Sequence, residues 1–339
     1  MKIAFFEVQS WEVPILKKKL KKHSLKLFPE PLDKENINKV KDCEIISCFT
    51  KSKFDKNIIP KLSKLKLIIT RTTGFDHIDL LEAKKHKIMV CNSPVYGENT
   101  VAEHTFALIL ALSRNIRKSR IKTLNNDFSI EDYKGFDLEG KTLGVIGVGR
   151  IGKHVIRIAR GFNMKVLAFD HHQDDFLAEE LNFSYTTLNN LLKKSDIVTL
   201  HVPYTESNHH MINKKTLKLM KSSAFLINTA RGGLVDTSAL LEALDKEKLA
   251  GAGLDVLEGE QLIMEEKQLL YERRKLKELG KLVKEHQLLA RDDVVFTPHI
   301  AFYSQEALER ILNDAIKNIN DYEKGAIDKT YVISNGKSI

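Results

Sequence analysis

The chain has 339 residues, 42% of them hydrophobic and 7% aromatic, the balance of a globular protein long enough to bury two cores. Lys and Arg outnumber Asp and Glu by 54 to 45, a formal charge of +9, yet the lysines alternate with glutamate along helical faces and no recognition motif accompanies them, which speaks against a nucleic-acid partner. No apolar run is long enough to span a membrane, and Met-Lys-Ile-Ala-Phe-Phe-Glu7 turns acidic too soon for a signal peptide, so a cytoplasmic location is expected.

Residues 1–98 alternate short apolar strands with charged helices. Strands are predicted at Lys2–Val8, Cys43–Phe49, Leu67–Thr70 and Lys87–Val90, and helices at Val13–Lys22, Lys34–Lys41 and Leu80–His86. Repeated βα units imply a parallel sheet with helices on both faces. Cys43, Cys48 and Cys91 lie in or beside these apolar segments without metal-site spacing, so they read as buried thiols. The loop from Arg71 to Asp79 follows a strand and carries Gly74. On its residues alone it is an ordinary strand-to-helix turn, with Asp79 as the helix N-cap.

The turn-rich passage Asn92–Glu98 marks a domain boundary. The helix that follows is apolar nearly all round from Val101 to Leu112, which predicts burial between domains or between subunits. From Lys141 a denser pattern begins. Thr142–Ile146 reads as a strand, Gly147, Gly149 and Gly152 form G-x-G-x-x-G, a helix runs from Arg150 to Arg160 with Gly161 as C-cap, and the strand Lys165–Phe169 delivers Asp170. Gly147 permits the tight turn, Gly149 lets a pyrophosphate approach the backbone, and Gly152 lets the helix lie close on the strand. The helix N-terminus presents unpaired N–H groups and a positive dipole end to the phosphates. Asp170 can accept hydrogen bonds from a ribose diol and repels a 2′-phosphate, so NAD is preferred over NADP.

Further strands are predicted at Ile197–His201, Ala224–Asn228, Ala250–Val256 and Val294–Thr297, with helices at Thr187–Lys194, Lys214–Lys221 and Ser238–Lys246, enough for a complete Rossmann-type sheet. A charged helical segment, Met264–Ala290, precedes the last strand. A terminal helix from Ser304 to about Tyr322 has apolar positions at helical spacing and is expected to pack on the first domain. Three charged residues fall at strand ends, where ligands of open α/β sheets bind: Arg231, Asp255 (with Glu260 beyond it) and His299. A histidine is a proton donor near neutral pH, and a carboxylate partner keeps it charged. An arginine offers a planar fork for a substrate carboxylate and positive charge for a developing alkoxide. That set suits hydride transfer to a 2-keto acid. The pairs His171-His172 and His209-His210 read as surface histidines, and no metal is expected.

From Arg71 onward the motifs resemble the D-isomer-specific 2-hydroxyacid dehydrogenase family. They are Thr-Thr-Gly-Phe-Asp-His-Ile-Asp (72–79), Asn-Thr-Val-Ala-Glu-His (99–104), the glycine loop (144–152), Asn-Thr-Ala-Arg-Gly-Gly-Leu-Val-Asp (228–236), Gly-Leu-Asp-Val-Leu-Glu-Gly-Glu (253–260) and Thr-Pro-His-Ile-Ala (297–301). The resemblance implies an active set of Arg231, Glu260 and His299, with the histidine as proton donor in reduction and the glutamate hydrogen-bonded to it. It puts the substrate carboxylate on backbone N–H groups at Thr73 and Gly74 beside Arg231, which reverses the plain reading of that loop. Cofactor positions carried over are Arg150 and Ile151 at the pyrophosphate, Asp170 at the ribose, Val202 and Pro203 near the adenine, then Asn208, Ala230 and Asp255, with Val101 near the nicotinamide.

The implied architecture is an α/β chain of two Rossmann-like domains. An NAD-binding domain (99–299) is inserted into a flavodoxin-like substrate domain (1–98 plus 300–339), with a hinged cleft between them. Members are commonly homodimers that pair through the nucleotide domain and the helix containing Val101–Leu112. Pro94-Val-Tyr96 and His299-Ile-Ala-Phe-Tyr303 resemble the D-lactate dehydrogenase branch, with Tyr96 and Phe302 shaping a small pocket for pyruvate. Glyoxylate, hydroxypyruvate or phosphoglycerate-type substrates are the alternatives. A role from another class, an NAD-sensing corepressor, is also open to this fold.

Overall fold

The computed structural model describes residues 1–258 and 286–334. The chain forms two compact units, one of Met1–Tyr96 with Ser304–Ile339 and one of Gly97–Tyr303. The last crossing falls after Tyr303 because Asp255 ties the backbone of Ile300 and Ala301 to the second unit.

In the first unit, β1 (Lys2–Phe5), β2 (Ser24–Leu27), β3 (Ile45–Cys48), β4 (Leu67–Thr70) and β5 (Met89–Cys91) form a parallel sheet in the order β5-β4-β3-β1-β2. β13 (Val332–Ser334) adds an antiparallel edge beside β5. This is a flavodoxin-type order, with its switch point between β1 and β3. The central strands β3 and β4 are buried on both faces, as a covered parallel sheet requires, while the edge strand β2 is half-exposed. Phe6, Ile46, Ile68 and Val90 face one cluster with Ile37 and Ile59, while Phe5, Ile45, Leu67 and Ile69 face another with Leu16 and Leu20. The terminal helix Gln305–Glu323 joins the second cluster through Leu312, Ala315, Ile316 and Ile319, on the first unit as its spacing predicts. The three cysteines are free and buried, and desolvation pushes the Cys43 thiol up to about 11 and Cys91 up to about 12.

Two expectations for this unit need correction. The predicted helix Lys34–Lys41 is only a 3₁₀ turn, Ile37–Lys39. The Asp33 carboxylate accepts from the N–H groups of Glu35 and Asn36, and the Asn36 amide donates to Pro31 O, so side chains take the partners that a helix would use. The edge strands Ser24–Leu27 and Val332–Ser334 were not anticipated.

The second unit is a wholly parallel sheet of seven strands: β6 (Thr142–Ile146), β7 (Lys165–Phe169), β8 (Ser184–Tyr185), β9 (Ile197–Leu200), β10 (Phe225–Asn228), β11 (Gly251–Leu254) and β12 (Val294–Phe296). Their order, β12-β11-β10-β9-β6-β7-β8, reverses direction between β6 and β9, as in a doubly wound dinucleotide fold. Alternate side chains feed two cores. Val198, Leu200 and Leu226 pack with the helices Leu188–Lys194 and Thr237–Asp245, and Ile197, Phe225 and Ile227 pack with Glu98–Ser113 and Arg150–Gly161.

The apolar helix Glu98–Ser113 buries Val101, Ala102, Phe106, Leu108, Ile109 and Leu112 inside this one unit, against Arg150–Gly161 and strands β10 to β12, while Ala107 is exposed and Leu110 and Ala111 are half-buried. The helix Arg150–Gly161 runs one residue past the expected stop, and Asn163, at φ +55°, makes the left-handed turn assigned to Gly161. The Lys214 helix ends at Leu217 instead of Lys221. Most of the Met264–Ala290 segment lies outside the described residues; 286–290 are helical. Among the described residues no helix is long and apolar enough to cross a membrane.

Candidate active site

The glycine turn joins β6 to the helix Arg150–Gly161. Gly147 has φ +98°, and a Cβ there would stand 2.6 Å from His201 O. A Cβ on Gly152 would stand 2.0 Å from Gly147 O, so only glycine lets the helix start against the turn. Gly149, the helix N-cap residue, is different: a Cβ there would meet nothing within 4 Å. Gly149 immediately precedes the first backbone N–H groups of a 12-residue helix, and such helix N-termini bind pyrophosphates. Arg150 and Ile151 form its first turn, and Arg150 Nε lies 3.5 Å from Glu98 Oε1.

Asp170, past the end of β7, spans the turn. Its Oδ2 accepts from Val148 N at 2.7 Å and its Oδ1 from His172 N at 3.0 Å. The carboxylate is thus fixed beside the glycine loop, where a ribose diol would reach it. Beyond β9, His201 is half-buried with Nε2 2.9 Å from Thr199 Oγ1, and desolvation pushes its imidazole down to about 3. Val202 and Pro203 lead into a turn knitted by Asn208, whose amide donates to Pro203 O at 2.8 Å while its oxygen accepts from Thr205 N at 2.8 Å. These residues fit a dinucleotide: a glycine cradle open at one point, a helix N-terminus and a fixed ribose acceptor.

The strands β10 to β12 supply the rest. Past β10, Asn228 accepts from Ala230 N at 3.0 Å and donates to Arg231 O at 2.9 Å, which fixes the turn carrying Arg231. The Arg231 guanidinium donates to Ala230 O at 2.8 Å and is half-buried. Past β11, Asp255 is 1% exposed and accepts from Thr297 Oγ1 (2.5 Å), Ile300 N (2.9 Å) and Ala301 N (2.9 Å). Its own carbonyl accepts from His299 N at 2.8 Å. His299 takes φ +54° in this wrap, its ring is exposed, and Phe302 meets it edge-on at 6.4 Å.

The residues assigned by spacing therefore converge in part. Asp255, His299 and Phe302 share one loop assembly, and Gly147, Gly149, Gly152 and Asp170 share another on the same sheet. Val101 is tied in through Thr105, whose hydroxyl donates to Val101 O and lies 3.0 Å from Thr229 Oγ1. Glu260 lies outside the described residues. Thr73, Gly74 and Tyr96 belong to the first unit. There Asn92 Nδ2 donates to Thr73 O at 2.8 Å and Thr73 Oγ1 to Ser93 O at 3.0 Å, joining the loops after β4 and β5. Tyr96 is buried, its carbonyl accepting from Arg310 Nε at 2.7 Å. Asp79 caps its helix by accepting from Glu82 N, so the plain reading of that residue also holds.

Two partners escaped the sequence reading. His104 Nε2 lies 2.9 Å from Thr297 Oγ1 and 3.5 Å from Asp255 Oδ1. Burial lowers the His104 pKa and Asp255 opposes that shift. The only signal was a histidine on the buried helix Glu98–Ser113. In the first unit, Arg71 is buried with its guanidinium donating to Phe6 O and Glu7 O, both at 2.9 Å, and so closes the end of β1.

Fold and site together define an α/β oxidoreductase that uses a dinucleotide. Residues 106–301 match the family model described as D-isomer specific 2-hydroxyacid dehydrogenase, NAD binding domain. The chain is 36% identical over 330 residues to a 2-hydroxyacid dehydrogenase homolog of Zymomonas mobilis, covering 96% of this chain and 98% of that one. It is 35% identical over 303 residues to the glyoxylate reductase of Thermococcus litoralis, covering 87% and 85%. Among solved structures, D-lactate dehydrogenase from Aquifex aeolicus, complexed with NAD and lactic acid, superposes with a TM-score of 0.86 at 40% identity, covering 99% and 100%. The chain belongs to the D-isomer specific 2-hydroxyacid dehydrogenase family and is an NAD-dependent oxidoreductase acting on the CH–OH group of small 2-hydroxy acids.

Proposed function

We propose that the chain reduces pyruvate to D-lactate. The reading rests on one observation: a buried carboxylate, Asp255, wraps the loop that carries His299, at the end of a strand in the same sheet as the glycine cradle. Bound NADH supplies the hydride. His299 gives its proton to the carbonyl oxygen as the alkoxide develops, and Glu260 is its carboxylate partner. Arg231 holds the substrate carboxylate and offsets negative charge on the reacting oxygen. Resemblance to the family also assigns the Thr73 and Gly74 N–H groups to the substrate carboxylate and Tyr96 and Phe302 to its small side chain. For the cofactor, the family resemblance assigns Arg150 and Ile151 to the pyrophosphate, Asp170 to the ribose, Val202 and Pro203 to the adenine and Val101 to the nicotinamide, with Asn208, Ala230 and Asp255 completing the set.

The likeness to D-lactate dehydrogenases supports pyruvate, and the likeness to a glyoxylate reductase favours the smaller glyoxylate as the second reading. Initial rates with pyruvate, glyoxylate, hydroxypyruvate and branched 2-keto acids separate them. The proposal expects the highest kcat/KM for pyruvate; a higher value for glyoxylate overturns it. NADH binding without turnover of any of them supports a sensor.

The proposed assembly is a homodimer. Ile116, Ile121, Leu124, Phe128 and Ile130 lie exposed on and after the helix Ile116–Leu124 of the second unit, an apolar surface that pairing would cover. Sedimentation of the native chain and of Phe128→Asp tests this, with a shift toward monomer expected in the variant.

A further inference from the structure

Outside that machinery, the second unit gathers three metal-binding side chains from two separate segments. His209 and His210 follow the turn after β9, and Glu258 lies in the chain leaving β11. The donor atoms of all three lie within 4.8 Å of one another. The two imidazoles stack with centroids 3.7 Å apart, and His210 Nε2 stands 3.0 Å from Glu258 Oε2. Backbone bonds hold the donors in place: His210 N donates to Gly233 O at 2.9 Å, and the Asn213 amide donates to His210 O at 2.8 Å.

A second observation concerns the tautomer. The Tyr204 hydroxyl lies 3.2 Å from His209 Nδ1. When it accepts the Nδ1 proton, Nε2 is left with a free lone pair, the outer-shell arrangement that orients metal-binding histidines. Two imidazoles and one carboxylate form the donor set of a three-ligand zinc site whose fourth position stays open. All three side chains are at least partly exposed, so an ion can enter from solvent.

We propose that His209, His210 and Glu258 bind one divalent transition-metal ion, with zinc as the representative species and water completing its shell. The nitrogen-rich set selects ions of this kind over magnesium or calcium, which prefer all-oxygen cages. This replaces the expectation that the His209-His210 pair is a metal-free surface feature. Bound metal would clamp the turn after β9 to the chain leaving β11, and it would raise the melting temperature by mass action.

The test uses the full chain without a histidine tag, stripped with a chelator and titrated with zinc in a calorimeter. One saturable equivalent per chain is expected. Glu258→Gln and His209→Ala should each weaken binding by about tenfold or more, and His171→Ala/His172→Ala, at the other adjacent pair, should leave it unchanged. Cobalt(II) substituted for zinc should give the ligand-field absorption of a low-coordinate nitrogen–oxygen site, lost in the same variants. His209 is exposed, so its substitution spares the fold, and melting curves of the metal-free variants check this. The proposal is overturned if no saturable site exists, or if the His209→Ala/His210→Ala double variant binds zinc as tightly as the parent.

Discussion

Thr297 donates its hydroxyl to Asp255 at 2.5 Å, and His104, from a helix far earlier in the chain, meets the same hydroxyl at 2.9 Å. Because Asp255 also accepts from Ile300 and Ala301, one buried carboxylate sets the shape of the loop that carries His299. Hydrogen bonds to a charged group contribute about 1.5–3 kcal/mol each, or about 10–100-fold in an equilibrium or rate. Asp255→Asn should therefore lower kcat/KM by about 10–100-fold. His104→Gln, which can still bond to Thr297, should lower it by less. Steady-state kinetics on both variants decides the order. Equal losses would mean that the two residues act only as packing.

Gly149 and Gly152 make opposite predictions although they are three residues apart. Alanine at Gly152 must displace backbone 2.0 Å away, and overpacking of that kind costs about 1–3 kcal/mol. Gly152→Ala should melt several degrees lower. Alanine at Gly149 meets no protein atom, so its melting temperature should match the parent, yet the methyl group occupies the approach of a pyrophosphate. Fluorescence titration with NADH should show at least about tenfold weaker binding for Gly149→Ala.

Asp170 is held by two backbone N–H groups and aimed beside the glycine turn. Replacing it with serine removes both the ribose acceptor and the charge that repels a 2′-phosphate. Asp170→Ser should raise the KM for NADH about 10–100-fold and narrow the preference over NADPH. A preference that survives unchanged would show that another group selects the cofactor.

His201 gives the fold a pH dependence. Its pKa falls from an ordinary 6.5 to about 3 because desolvation around the ring disfavours the cation. Above pH 6.5 folded and unfolded chains both hold it neutral, and the group adds no slope. Between 6.5 and 3 the unfolded chain binds a proton that the folded chain refuses, so stability is lost as pH falls through that window. Urea midpoints at pH 7.5, 6 and 5 should drop more steeply for the parent than for His201→Gln. Parallel curves would remove His201 as a cause.

Much of this was legible in the sequence, because the phosphate cradle and its acidic partner are encoded by local spacing. Gly147, Gly149, Gly152 and Asp170 belong to one βαβ unit, and the geometry follows from chain connectivity. The apolar runs of the buried strands and the helical spacing of Leu312, Ile316 and Ile319 also reported burial directly. Periodicity reports that a face is buried but not by what. The Val101–Leu112 helix reads as an interface, and its Ala102, Phe106, Leu108, Ile109 and Leu112 face is covered within its own unit while Ala107 stays exposed. Local competition hid the turn at Ile37–Lys39, where Asp33 and Asn36 take the backbone partners. The His104–Thr297 contact joins residues 193 apart, beyond any pattern along the chain.

The most direct test of the account is the reaction of purified chain with NADH and pyruvate, followed by NADH absorbance and by the chirality of the product. The account predicts one D-lactate formed per NADH consumed, with His299→Ala slower by about 10²–10⁴-fold while still binding NADH. L-lactate as the product, or a His299→Ala variant as fast as the parent, would contradict it.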